Sequence, residues 1–226
     1  VIISGNPFIQ FKFGYKLNKK YKIPWIADYR DAWTTSTINN ISGNRIKTAI
    51  NLYQQYFEKK WVKTASYITA SSIPIGESMG KLVNVKSEAI YNGFEPSDFI
   101  QYNNTPKLTS HFQIAYIGTL YDGQDISIFL DAYKKFIHFK NPNCKLFLPG
   151  LDLDLIQKVR VEKLLEDYED YYKTSLRIPK SEILKIEKES HLLLHVAWKG
   201  HAGIIASKIY EYIGSGSKII VAPGDG

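Results

Sequence analysis

Short apolar runs alternate with stretches of helical period along the whole chain. Residues 1–4 are apolar and stop at Gly5-Asn6-Pro7, which predicts a strand and a turn. The next stretch, 8–21, has helical spacing and a basic end at Lys16, Lys19 and Lys20, the charge that a helix C-terminus favours. A strand follows over 23–27, opened by Pro24. Ile46, Ala49, Ile50, Tyr53, Tyr56, Phe57 and Trp61 recur at helical intervals and predict a helix over 45–64. A strand at 67–70, a helix at 73–82 and a strand at 86–91 complete the first half, and Asn92-Gly93 turns the chain.

Periodicity lapses between 95 and 110, where 101–106 is polar and rich in turn residues. The same rhythm then restarts. Strands are predicted at 112–117, 144–148, 172–176, 191–196 and 218–221, and helices at 125–139, 155–168, 180–188 and 207–213. Alternating βα units with apolar strands imply an α/β protein with parallel sheets and helices on both faces. The expected division is a first domain over 1–98, a linker over 99–111 and a second domain over 112–226. Val1 reads as mid-protein sequence and Gly226 comes just after a strand, so a fragment lacking both ends is expected.

Composition adds bounds. Of 226 residues, 44% are apolar and 14% aromatic, enough for a packed core. The net charge of +7 permits anionic partners. The lysines are spread along the chain, however, with no dense block and no RNA-binding aromatic signature, so nucleic acid is not an expected partner. Cys144 is the single cysteine; it excludes an internal disulfide and a cysteine zinc cluster, and it fits a reducing compartment. No apolar run approaches the roughly 20 residues that cross a bilayer.

Candidate chemistry gathers where strands end. In a parallel sheet the segment past a strand's carboxyl end faces the ligand crevice. Asp28-Tyr-Arg-Asp31 follows a predicted strand, and its two carboxylates and Arg30 either orient a sugar or pair with one another. Gly118-Thr-Leu-Tyr121 also follows a strand; it is either a plain turn or a place where backbone meets phosphate ahead of a helix N-terminus. Lys208 and Glu211 lie three apart at the start of a helix. Spacing alone favours an ordinary i, i+3 ion pair; the alternative is an amine for phosphate and a carboxylate for ribose hydroxyls. Lys199 and His201 occupy the loop before that helix and are candidate donors to phosphate or sugar. Asp152-Leu-Asp154 resembles a D-x-D metal site, but its place after a strand and glycine favours helix capping. His191 and His195 bracket an apolar strand and read as structural.

Four pieces stand in a definite order: Ile23-Pro-Trp-Ile-Ala-Asp-Tyr-Arg-Asp-Ala-Trp33, Ile90-Tyr-Asn-Gly-Phe94, Ile114-Ala-Tyr-Ile-Gly-Thr-Leu-Tyr121, and 203–213 with its Lys-Ile-Tyr-Glu-Tyr. Together they resemble glycosyltransferase family four over nearly the whole chain. The resemblance implies the GT-B architecture, two Rossmann-like domains with parallel sheets facing across a cleft, the N-terminal one incomplete. It implies a retaining transfer of sugar from a nucleotide diphosphate sugar to a glycan or lipid-linked acceptor, with no bound metal or other cofactor. Glu211 then matches the ribose-binding glutamate, Lys208 a position near the donor diphosphate, and Gly118 and Thr119 the turn that meets it. Asp28, Arg30 and Asp31 would line the acceptor side as the candidate catalytic groups. The implied setting is bacterial surface polysaccharide or glycan assembly in the cytoplasm, with peripheral contact at the cytoplasmic face of a membrane. No basic amphipathic anchor stands out in the sequence. Gly203 occupies the position of the family's first paired glutamate, and Gln124 lies in the loop where relatives often place an arginine or lysine. An inactive sugar-nucleotide binding module of the same fold is the alternative.

Overall fold

The computed structural model describes residues 1–36, 45–198, 200 and 203–223. Contacts divide the chain into two compact units, Val1–Asn92 with His201–Ile204, and Gly93–Gly200 with Ile205–Gly226.

The first unit holds a parallel sheet in the order β1 (Ile2–Gly5), β2 (Ile26–Tyr29), β3 (Tyr67–Ala70), β4 (Ser87–Ala89). The helices are α1 (Phe11–Tyr21), α2 (Arg45–Val62) and α3 (Ile73–Val83). Ala27, Tyr29, Ile68 and Ala70 point to one side and are buried with Phe11, Trp25, Val62 and Met79. Ile26, Asp28, Tyr67 and Thr69 alternate to the other side and are only half-buried. Helices on both faces were expected; here the core lies on one face of the sheet. The strand expected at 23–27 is shifted, because pairing to β1 begins at Ile26. Asp28 therefore lies within β2 rather than after it.

The second unit holds the parallel sheet β7-β6-β5-β8-β9. Its strands are β5 (Phe112–Ala115), β6 (Cys144–Pro149), β7 (Tyr172–Ser175), β8 (Leu192–Val196) and β9 (Lys218–Ala222). Here helices do cover both faces. Ile114, Leu146, Leu148 and Leu194 pack with α4 (Ser127–Phe139) and α5 (Leu155–Leu164). Ala115, Ile117 and Leu193 pack with α6 (Lys180–Glu189) and α7 (Lys208–Ser215). Strand periodicity sends successive side chains to opposite faces, and both faces are apolar, as a sheet buried on both sides requires. Asp154 caps α5, its Oδ1 accepting the Ile156 and Gln157 N–H groups at 3.0 and 3.2 Å.

The segment Pro96–Tyr102 is a 3-10 helix. Phe99 in it is buried, and the Tyr102 hydroxyl donates to the Ser181 carbonyl at 2.8 Å. Among the described residues no helix is long and apolar enough to cross a membrane.

The order of the second sheet has a consequence. Strand order runs outward from β5 in both directions, through β6 and β7 on one side and β8 and β9 on the other. The carboxyl ends of β5 and β8 therefore flank a topological switch point, where open α/β sheets leave a crevice.

Candidate functional site

Two strand-end turns meet backbone to backbone at that crevice. Gly118 and Gly150 both hold positive φ, +92° and +95°. A Cβ on Gly150 would come within 2.9 Å of the Gly118 Cα, so only glycine fits there. The Gly118 N–H donates to the Pro149 carbonyl at 2.8 Å, which ties β5 to β6 and commits that donor. Gln124 is buried and bridges two strand ends. Its Nε2 donates to the Val196 carbonyl at 2.6 Å, and its Oε1 accepts from the Tyr121 N–H at 3.2 Å. In this loop the family resemblance implies an arginine or lysine; the glutamine here shapes the loop instead. Arg160 braces the same loop from α5, donating to the Gln124 carbonyl at 2.8 Å.

Helix α7 is fixed against this corner. The fully buried Tyr212 hydroxyl accepts the Ile117 N–H at 2.9 Å. Gly214 lets Phe94 and Phe99 close on the helix, since a Cβ would meet their rings at 2.6 and 2.5 Å. With α7 so held, Lys208 at its first position reaches over the Tyr116 ring, its Nζ 3.7 Å from the centroid. The same Nζ lies 3.8 Å from the point where a Gly118 Cβ would stand. It is buried and has no hydrogen-bond partner among the described residues. Loss of water pushes its pKa down to about 7. An unpaired buried ammonium costs several kcal/mol, so the site stabilises an incoming anion before any specific contact is made.

No ion pair joins Lys208 to Glu211, so the ordinary i, i+3 bridge is absent. Glu211 instead has Lys180 at 3.9 Å, and Lys180 is held by Asp98 at 2.6 Å. Glu211, Lys180, Arg177, Gly118, Thr119 and Gly150 line a cavity of about 450 Å³. That volume is ample for a nucleotide-sized ligand. Near Glu211 and Lys180 lies Glu187, fully buried, with neither carboxylate oxygen hydrogen-bonded among the described residues. Burial, reinforced by the Glu211 charge and opposed by Lys180, pushes its pKa up to about 8.

Neither a family model nor a curated protein matches the chain. Solved structures do. HepE of Anabaena in complex with UDP superposes with a TM-score of 0.68 at 13% identity, over 100% of this chain and 60% of that one. Sucrose-phosphate synthase from Thermosynechococcus elongatus gives 0.66 at 14%, over 97% and 55%. A UDP-forming α,α-trehalose-phosphate synthase from Burkholderia xenovorans gives 0.67 at 9%, over 97% and 58%. The chain has the GT-B fold. It spans about 60% of the length of HepE.

Within this GT-B chain the predicted site residues separate into groups. Gly118, Thr119, Lys208 and Glu211 come together at one corner of the second unit. Asp28, Arg30 and Asp31 belong to the first unit and do not pair with one another. Asp28 accepts from Ser4 Oγ at 2.6 Å and Thr69 Oγ1 at 2.8 Å, its in-register neighbours on β1 and β3. Arg30 and Asp31 are exposed. Lys199 and His201 lie outside the described residues.

Sequence reasoning missed Arg177, Lys180, Glu187 and Tyr212. Arg177 and Lys180 follow β7, so the strand-end rule that found Gly118 applies to them too. Nothing in the pattern marks Glu187, because α6 carries several charges and only packing buries this one.

Proposed function

We propose that this chain belongs to a glycosyltransferase that moves a sugar from a nucleotide diphosphate sugar to a glycan or lipid-linked acceptor, with retention of configuration and without a metal. The observation that carries the reading is the Lys208 amine, buried, unpartnered and set beside Gly118 at the switch point. A diphosphate seated there meets an ammonium that water no longer screens. Arg177 and Lys180 add positive charge along the cavity. Glu211, three residues on, offers a carboxylate to the two hydroxyls of a ribose. Charge grows on the leaving diphosphate as the glycosidic bond breaks, and a preorganised cation in a dry pocket stabilises that state more than the ground state. Asp28, Arg30 and Asp31 are the acceptor-side groups of this reading, with Asp28 holding the strand end and the exposed pair reaching substrate. Lys199 and His201 are further donor-side groups. The setting proposed is the cytoplasm, in glycan assembly.

Two of the structural neighbours support the donor class, since one is a UDP complex and the other a UDP-forming synthase. A second reading has an observation of its own. A Cβ at Gly203 would come within 2.8 Å of Pro74 and 2.9 Å of Ser72, so the position has no room for the sugar-orienting carboxylate of the implied family. A module that binds sugar nucleotide without transferring it is therefore the alternative.

Calorimetry with UDP-glucose and GDP-mannose tests the donor site. Binding should be constant below pH 7 and weaken above it, because only the protonated amine attracts phosphate; heats in buffers of different ionisation enthalpy should show proton uptake at pH 8. Glu211→Ala should weaken binding by about 10- to 100-fold, the worth of charged hydrogen bonds to two hydroxyls. Binding that ignores both pH and Glu211 would dispose of the donor site, and binding without transfer to any offered acceptor would favour the module.

A further inference from the structure

One lysine stands among three carboxylates beside the donor cavity. Lys180 opens α6, and its amine lies 2.6 Å from Asp98 Oδ2 and 3.9 Å from Glu211 Oε1. Glu187 follows two turns along the same helix and is buried close enough to Glu211 and Lys180 to feel both charges. All three acids attract the amine, and the distances show which one holds it. The Asp98 contact is a charge-assisted hydrogen bond; the Glu211 contact is too long to be one.

Asp98 is fixed where it can do this. It belongs to the 3-10 helix Pro96–Tyr102, which Glu95 caps by accepting the Ser97 N–H at 3.3 Å. Phe99, next to Asp98, packs on Gly214 of α7, and the Tyr102 hydroxyl donates to the Ser181 carbonyl in the first turn of α6. The segment is thus pinned to both helices that carry the cluster. Lys180 and Glu211 line the cavity itself.

We propose that Asp98 is a positioning residue of the donor site: by holding Lys180 it leaves the Glu211 carboxylate open to the hydroxyls of the ribose. The proposal rests on the reading of Glu211 as the ribose group. A carboxylate is an acceptor only, and an ammonium drawn onto it competes for the lone pairs that two hydroxyls need. The Lys180 amine already stands just short of hydrogen-bonding distance from Glu211, so a small side-chain rotation closes that pair once Asp98 lets go. Glu187 adds to the pull, because its own carboxyl has no hydrogen-bond partner among the described residues.

Calorimetry on the intact chain tests this with UDP and GDP, each against its 2′,3′-dideoxy analogue, which lacks both hydroxyls. The parent should prefer the ribose form by about tenfold or more, since charged hydrogen bonds are at stake. Asp98→Asn should cut that preference by about two- to fivefold, the range of partly exposed ion pairs, and leave affinity for the dideoxy form as it was. Asp98→Glu should keep the preference. In a Lys180→Met background Asp98→Asn should change nothing, because no amine is left to release. Unchanged melting temperatures show that the variants fold. An Asp98→Asn chain that keeps its full preference, or loses affinity for both forms alike, overturns the proposal and leaves the ribose role of Glu211 standing. So does a loss that persists in the Lys180→Met background. A parent that binds both forms equally, or neither, removes the ribose role and the proposal with it.

Discussion

Asp28, inside β2 of the first unit, and Lys208, at the start of α7 beside the Gly118 turn of the second, are both charged groups, and they are treated oppositely. Both oxygens of Asp28 are occupied by hydroxyls from the neighbouring strands. The Lys208 amine is buried over an aromatic ring with no hydrogen-bond acceptor among the described residues. Lys107 shows that the second unit can satisfy a lysine: its amine donates to the Lys188 and Ser190 carbonyls at 2.7 Å and to Ser217 Oγ at 2.6 Å. The lack of acceptors for Lys208 among the described residues is therefore particular to its position. A satisfied charge holds strands or helix ends together, while an unsatisfied one keeps free energy in reserve for a ligand.

The largest expected effect tests that reserve. Lys208→Met should lower sugar transfer by about two to three orders of magnitude, the loss seen when one preorganised charge-stabilising donor is removed. The same change should stabilise the free protein, with a definite pH signature. The folded-state pKa of Lys208 is depressed to about 7, below its ordinary 10.5, so its penalty is complete below pH 7 and vanishes as pH rises to 10.5. Melting curves should show the variant ahead of the parent below pH 7 and level with it near pH 10.5. A variant that transfers sugar normally, or gains no stability, would make Lys208 an ordinary core lysine.

Next in size is the strut that aims Lys208. Tyr212→Phe removes the acceptor for the buried Ile117 N–H and should cost about 1–3 kcal/mol, read from denaturant midpoints. Donor affinity should fall with it, because α7 carries both Lys208 and Glu211. Unchanged affinity would mean that Phe94 and Phe99 alone position the helix.

Most of the second unit was legible in the sequence, because its strands are buried on both faces and read as continuous apolar runs between glycine turns. The corner of Gly118, Thr119, Lys208 and Glu211 was legible for the same reason: strand ends and a helix start are local signals. The first unit was harder. Its sheet is buried on one side only, so Asp28 could sit inside β2 without breaking an apolar run, and the strand was placed three residues early. The helix at 45–64 was legible from its apolar spacing, but periodicity reports that a helix has an apolar face and not what covers it. Gln124 and Glu187 owe their roles to partners that are distant in sequence, such as Val196 and Glu211, which no spacing rule reaches.

Glu187 sharpens the comparison from the acidic side. Its folded-state pKa is raised to about 8 from 4.5, the reverse of a paired carboxylate. Its penalty is absent below pH 4.5, grows as pH rises and is complete above pH 8. Glu187→Gln should match the parent at pH 4 and exceed it by about 1–2 kcal/mol at pH 9, after allowing for an amide that also lacks partners. Equal stability at both pH values would mean that Glu187 finds a partner in solution.

The smallest effect falls on the satisfied member of the pair. Asp28→Ala leaves two hydroxyls, on the exposed Ser4 and the half-buried Thr69, that can turn to water, so about 1 kcal/mol should be lost from unfolding. Donor affinity measured by calorimetry should not change, since Gly118, Thr119, Lys208 and Glu211 all belong to the second unit. Transfer is the discriminating measurement. If it declines only as far as the folded fraction does, Asp28 is a strand tie and the acceptor chemistry falls to Arg30 and Asp31. If transfer collapses while the melting temperature holds, Asp28 gives up its two hydroxyl partners to a substrate, and the contrast with Lys208 is one of ligand state rather than of role.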